Sequence, residues 1–121
     1  MIYLYCKYIN TNLINLQIMI IFVDIDDTIC YYSENNNNKN YDMAKPYTER
    51  INKINKLHDE GNIIIYWTAR GTLTQINWFD KTLNQLKTWN CKFHELRMGK
   101  PAYDLFIDDK NINSDTYFDK N

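Results

Sequence analysis

Short apolar runs alternate with helix-like repeats along this chain. Ile20-Ile21-Phe22-Val23 is continuous, apolar and stopped by Asp24, the pattern of a strand buried on both faces. Residues 46–60 set Tyr47, Ile51, Ile54 and His58 or Leu57 at helical spacing. Pro46 suits the first helical position, Glu49 the positive first turn, and Gly61 the residue just past the end. Ile63-Ile64-Ile65-Tyr66-Trp67 predicts a second buried strand, ending at Thr68. Thr74 to Trp89 predicts a second helix with Ile76, Phe79, Leu83 and Leu86 on one face. Cys91 to Leu96 is a weaker strand, and Leu105-Phe106-Ile107 a short last one, ending at Asp108.

Strands alternating with helices predict an α/β domain with a small parallel sheet of about four strands and helices on both faces. At 121 residues the chain has room for one such domain. The domain is expected to run from Met19 to Asn121. Residues 1–18 lack clear periodicity and read as an extension without a catalytic role, and Met19 is a possible second start. Asn35 to Asn40 (NNNNKN) is polar, cannot pack, and reads as a loop tip.

Composition narrows the function. With 45% hydrophobic and 24% charged residues the chain can bury a core, which argues against general disorder. A net charge of −1 lacks the cationic excess that sequence-independent nucleic-acid binding needs. Cys6, Cys30 and Cys91 are odd in number and form no CxxC pair, so neither a zinc site nor a disulfide framework is indicated. That points to a reducing, cytoplasmic setting. No apolar run of about 18 residues predicts a membrane span.

In parallel sheets ligands bind beyond the carboxyl ends of the strands. Asp24, Thr68 and Asp108 each follow a predicted strand, so residues distant in sequence are expected to meet there. Asp24, Asp26, Asp27, Asp108 and Asp109 would then crowd together and repel unless a cation balanced them. Carboxylate oxygens with open water positions favour Mg²⁺ or Ca²⁺ over zinc. Thr68 and Lys100 would bring a hydroxyl and a positive charge to the same anion. Taken together these groups describe a phosphoryl-transfer site.

The ordered set resembles the haloacid dehalogenase-like superfamily. Asp24-Ile25-Asp26-Asp27-Thr28 matches its DxDxT motif, and Thr68 after Ile64-Ile65-Tyr66-Trp67 its hydroxyl residue. Lys100 in Gly99-Lys100-Pro101 matches its lysine, and Asp108-Asp109 after Ile107 its acidic pair. A nearer similarity is to short phosphatase-like members encoded in capsule and surface-polysaccharide gene clusters. Tyr66 to Gly71 (YWTARG) and Gly99 to Lys110 (GKPAYDLFIDDK) carry it.

The resemblance implies a Rossmann-like fold and a phosphatase working through an aspartyl-phosphate. Asp24 would be the nucleophile. Asp26 would protonate the leaving oxygen and then activate water, its pKa raised by the crowding carboxylates. Thr68 and Lys100 would hold the phosphoryl oxygens. Mg²⁺ would be held by Asp24, the Asp26 backbone carbonyl, Asp108 and Asp109.

Neither usual insertion point has room for a cap domain, so a capless member is expected. Its open site would suit a large substrate, or a small one covered by a neighbouring subunit. Asp27 stands where the family often has glycine. Arg70 is a candidate for an anionic substrate group, and Tyr31 and Tyr32 for a sugar or base. The expected substrate is a phosphorylated sugar or related metabolite. The alternatives are a nucleotide or polynucleotide end, or an inactive scaffold of this fold serving as a binding module.

Overall fold

The computed structural model describes residues 17–34 and 39–119. The extension, apart from its last two residues, and most of the Asn-rich tip lie outside them. Strand β1 spans Ile20–Val23 and β4 Ile63–Trp67, and β5 spans Glu95–Arg97. They form a parallel sheet in the order β1-β4-β5. Val23 lies opposite Tyr66, and Tyr66 opposite Leu96. A separate antiparallel pair, β2 (Cys30–Tyr31) and β3 (Lys45–Pro46), closes the base of the flap between them.

Helix α1 spans Thr48–Asp59, starting two residues later than its periodicity predicts. Pro46 is paired with Cys30 in the flap, and the Tyr47 N–H donates to the Ile29 carbonyl at 2.8 Å, so the chain turns helical only afterwards. Helix α2 spans Phe79–Thr88 rather than beginning at Thr74. Residues 71–78 form a tight turn instead, with Gly71 and Gln75 at φ of 83° and 63°. Asn77 Oδ1 accepts the Phe79 N–H at 3.0 Å, a local bond that favours a helix start over a helix interior. A last short helix, α3, spans Ser114–Asp119.

The core gathers one face of the sheet: Val23, Ile64, Tyr66 and Leu96. Ile51 and Ile54 of α1, Leu86 of α2 and Phe118 of α3 pack against it. Among the described residues these helices therefore share a face, rather than covering both. The other departure is the fourth strand. Leu105-Phe106-Ile107 joins no ladder, and Leu105 and Ile107 are 75% and 88% exposed. The reason lies just upstream. The Lys100 N–H donates to the Thr68 carbonyl at 3.0 Å, and Thr72 Oγ1 donates to the Lys100 carbonyl at 2.7 Å. These bonds hold the chain at the C-terminal end of β4. Only residues 101–104 remain to cross to the far side of β1 and return to its start. At about 3.3 Å per residue that leaves almost no slack. Residues 101–113 instead run as an exposed strap, with Ser114 at its far end donating to the Asp27 carbonyl at 3.5 Å.

Candidate active site

Three parallel strands end at one edge. Asp24 follows β1, Thr68 follows β4, and the turn after β5 supplies Lys100. They line a cleft of about 380 Å³ together with Asp26, Lys39, Tyr41, Arg70 and Tyr103. Of the residues expected to gather at this edge, the cleft brings together Asp24, Asp26, Thr68, Arg70 and Lys100, and not Asp108 or Asp109.

Asp24 stands between a cation and a hydroxyl. Its Oδ1 lies 3.1 Å from Lys100 Nζ, and its Oδ2 accepts from Thr28 Oγ1 at 3.0 Å. The Asp24 side chain is one-third exposed, so it is reachable from the cleft. Burial pulls the Lys100 ammonium down, but Asp24 and Tyr103 outweigh it and the amine is held above its ordinary value. Gly99, at φ of 79°, turns the chain so that Lys100 enters the cleft. Thr68 is buried; its Oγ1 accepts the Arg70 N–H at 3.2 Å, which leaves its hydroxyl hydrogen as a donor.

The turn after Asp24 is tight. Asp27 has φ of 63°, a conformation glycine takes freely and Asp or Asn tolerate better than most residues. That explains how an acid stands where the resembling family often has glycine. Its carboxylate is paired with Lys39.

Asp26 is gripped. Arg70 Nε donates to its Oδ2 at 2.9 Å and Arg70 Nη2 to its Oδ1 at 2.8 Å. Tyr32 adds a hydroxyl at 2.5 Å and Cys30 a thiol at 3.5 Å, both on Oδ1. Burial alone would push this carboxyl up, but the guanidinium fork and charge, with Tyr32 and Cys30, outweigh it and hold the group below the ordinary carboxylate range. The expectation of a raised value is thus reversed. The close neighbour is a cation, not the second acidic pair. The Cys30 thiol is pushed up to about 12 by burial and by Asp26, which makes it a poor nucleophile.

Arg70 turns inward. Its side chain is fully buried, and besides Asp26 it donates through Nη1 to Thr82 Oγ1 at 3.2 Å and Gln85 Oε1 at 2.6 Å. Tyr41 covers it, with the guanidinium carbon 4.4 Å from the ring centroid. Thr28, Tyr41, Thr82 and Gln85 were not legible as site residues. Thr28 alone carried a signal, four positions after Asp24 in the DxDxT pattern. Tyr31 stacks on Tyr47, with centroids 4.6 Å apart, rather than facing the cleft.

Asp108 and Asp109 are not brought to this group. They are exposed on the strap, where the Asp109 N–H donates to Asp108 Oδ1 at 2.8 Å and Asn111 Nδ2 to the Asp108 carbonyl at 2.8 Å. Among the described residues no three His, Cys, Asp or Glu side chains stand together as a metal set. Mg²⁺ needs several oxygen ligands in near-octahedral order. In this arrangement Asp24 is the carboxylate open to the cleft, the Asp26 side chain is committed to Arg70, and Asp108 and Asp109 stand apart on the strap.

The chain is similar to a structural-genomics target from Vibrio cholerae whose crystal structure is solved. The TM-score is 0.72 at 23% identity, covering 86% of this chain and 90% of that one. At that identity the likeness is one of fold: a small α/β domain with a parallel sheet. No family model matches the chain, and no curated protein matches it. No helix among the described residues is long and apolar enough to cross a membrane.

Proposed function

We propose that this chain is a phosphomonoester hydrolase that works through Asp24, acting on a phosphorylated sugar or related metabolite. The observation that carries the reading is the placement of Asp24 at the cleft, held between Lys100 and Thr28 with Thr68 beside it. A nucleophilic carboxylate needs its attacking oxygen fixed and the incoming phosphoryl oxygens met by donors. Thr28 fixes the carboxylate. Lys100 and the Thr68 hydroxyl are the donors for the phosphoryl oxygens.

In the first half-reaction an Asp24 oxygen bonds to phosphorus, the ester oxygen leaves, and Asp26 supplies its proton. In the second half Asp26 takes a proton from water as the water oxygen bonds to phosphorus. The bond from Asp24 to phosphorus breaks, releasing phosphate and restoring the carboxylate. An Asp26 held below the ordinary range suits the second half better than the first. Substrates with good leaving groups, which need little protonation, are expected to react faster.

A Mg²⁺ requirement is part of the proposal and rests on the resemblance to the haloacid dehalogenase-like superfamily. It asks the strap to carry Asp108 and Asp109 to Asp24, with Leu105 to Ile107 beside β1 as a fourth strand. The distance of that acidic pair from the cleft favours one second reading, an inactive scaffold that binds a partner. The deciding experiment is hydrolysis of an aryl phosphate by wild type and Asp24→Asn, with and without Mg²⁺. Turnover lost in Asp24→Asn by at least about a thousandfold supports the hydrolase. Equal turnover in both proteins, or none in either across sugar, nucleotide and aryl phosphates, overturns it.

A further inference from the structure

Arg70 was a candidate for touching substrate, yet its geometry serves Asp26. A guanidinium carries five N–H donors. Four of Arg70's are spent inside the protein: two on Asp26, one on Thr82 and one on Gln85. Its side chain has no exposed surface. The Gln85 end of this network is itself fixed, because Gln85 Nε2 donates to the Tyr41 carbonyl at 2.5 Å. One side chain thus links the turn after β1, the flap and helix α2.

The result falls on the two Asp26 oxygens unequally. Oδ1 accepts from Arg70 Nη2, Tyr32 and Cys30, while Oδ2 accepts from Arg70 Nε. A carboxylate oxygen has two acceptor positions: Arg70 and Tyr32 fill those of Oδ1, with the Cys30 thiol a longer contact at 3.5 Å, and Oδ2 keeps one open. Two parallel N–H bonds to one carboxylate fix its plane as well as its position, which a lysine cannot do.

From this geometry we infer that Arg70 is the positioning residue for proton transfer: it orients Asp26 so that Oδ2 presents its open position to the cleft. The inference rests on the hydrolase reading and sharpens it, because both half-reactions pass their proton through Asp26. The two halves differ in how much they need it. An activated aryl alcohol leaves without help, so a misplaced Asp26 spares the first half with such a substrate. Attack by water in the second half still needs the base. An alkyl phosphate needs the proton carrier in both.

The test is rapid-mixing kinetics on an activated aryl phosphate and on an alkyl phosphate, with wild type, Arg70→Leu, Arg70→Lys and Asp24→Asn. With the aryl ester the Arg70 variants release about one equivalent of alcohol per enzyme in a burst. They then turn over about 100-fold more slowly than wild type. Intact-protein mass spectrometry finds a phosphoryl adduct that Asp24→Asn does not form. With the alkyl ester there is no burst. A merely structural role slows both esters alike with no burst and no adduct, and that result overturns the inference. If Arg70→Leu does not fold, Arg70→Lys carries the test, since it keeps the charge and loses the fork. Tyr32→Phe, which leaves the fork in place, produces a smaller slowing. Wild type with Asp24-dependent turnover and burst-free Arg70 variants sinks the positioning role alone. Wild type with no Asp24-dependent turnover sinks the hydrolase reading and the positioning role with it.

Discussion

The cleft floor and the strap hold comparable chemistry under opposite physical conditions. On the floor, Asp24, Asp26, Thr68 and Arg70 grow out of strand ends and are tied by hydrogen bonds into a partly buried network. On the strap, Asp108 and Asp109 are solvated and, among the described residues, bonded only to their own neighbours. The contrast separates two things that a motif treats as one. Carboxylates on the floor have their geometry set before any ligand arrives. Those on the strap are held by bonds to adjacent residues alone among the described residues.

The largest effect expected on stability is at the buried pair. Arg70→Leu leaves Asp26 charged and short of partners, and breaking such a pair costs about 3–5 kcal/mol. Asp108→Ala, by the same urea titration, is expected to fall within about 0.5 kcal/mol of wild type. Equal losses at the two sites would erase the distinction between floor and strap.

Next comes the turn that carries the floor into α2. A Cβ on Gly71 would stand 2.1 Å from the Ile76 carbonyl oxygen, and the residue has φ of 83°. Gly71→Ala is therefore expected to cost about 1–3 kcal/mol, read from the denaturation midpoint. Gly99→Ala has the same kind of φ, 79°, but no atom within 4 Å of the added Cβ, so strain alone acts and the loss is smaller.

Acid titration sharpens the comparison further. The folded Asp26 is held below its ordinary value by Arg70 against burial. The stability this contributes is fully present above the unfolded carboxylate pKa of about 3.9 and is lost as pH falls through the lower folded value. The deficit of Arg70→Leu should thus be largest above about pH 4 and shrink below it, because a protonated Asp26 no longer needs the cation. A deficit that stays constant from pH 7 to pH 3 would show that the pair's charge is not what matters.

The smallest effect is at the apolar part of the strap. Leu105→Asp with Ile107→Asp replaces side chains that are already solvated, and the melting temperature should move little. A drop of several degrees would mean that these residues are packed against something in solution, in conflict with their exposure here.

The reading from sequence succeeded where a residue's position follows from its own strand. Runs such as Ile20-Ile21-Phe22-Val23 and Ile63 to Trp67 have few ways to bury themselves, and the residue after each must emerge at the sheet edge. Asp24 and Thr68 were placed by that logic. Leu105-Phe106-Ile107 looked the same by composition but formed no strand. Periodicity cannot report whether a four-residue link from an anchored Lys100 reaches the open edge of β1. Nor could the pattern show that Arg70 would turn inward to Asp26, since that depends on Thr82, Gln85 and Tyr41 arriving from other elements.

The amino-acid order by itself therefore determined strands β1 and β4, the first helix and the meeting of Asp24, Asp26, Thr68 and Lys100. Each of these follows from local burial and from the direction a parallel strand must run. Only the tertiary structure decided which charge faces Asp26, and that the Asp108 and Asp109 pair stays on the strap. Those outcomes depend on distances between segments remote in sequence, where chain length and hydrogen-bond geometry overrule what each segment prefers alone.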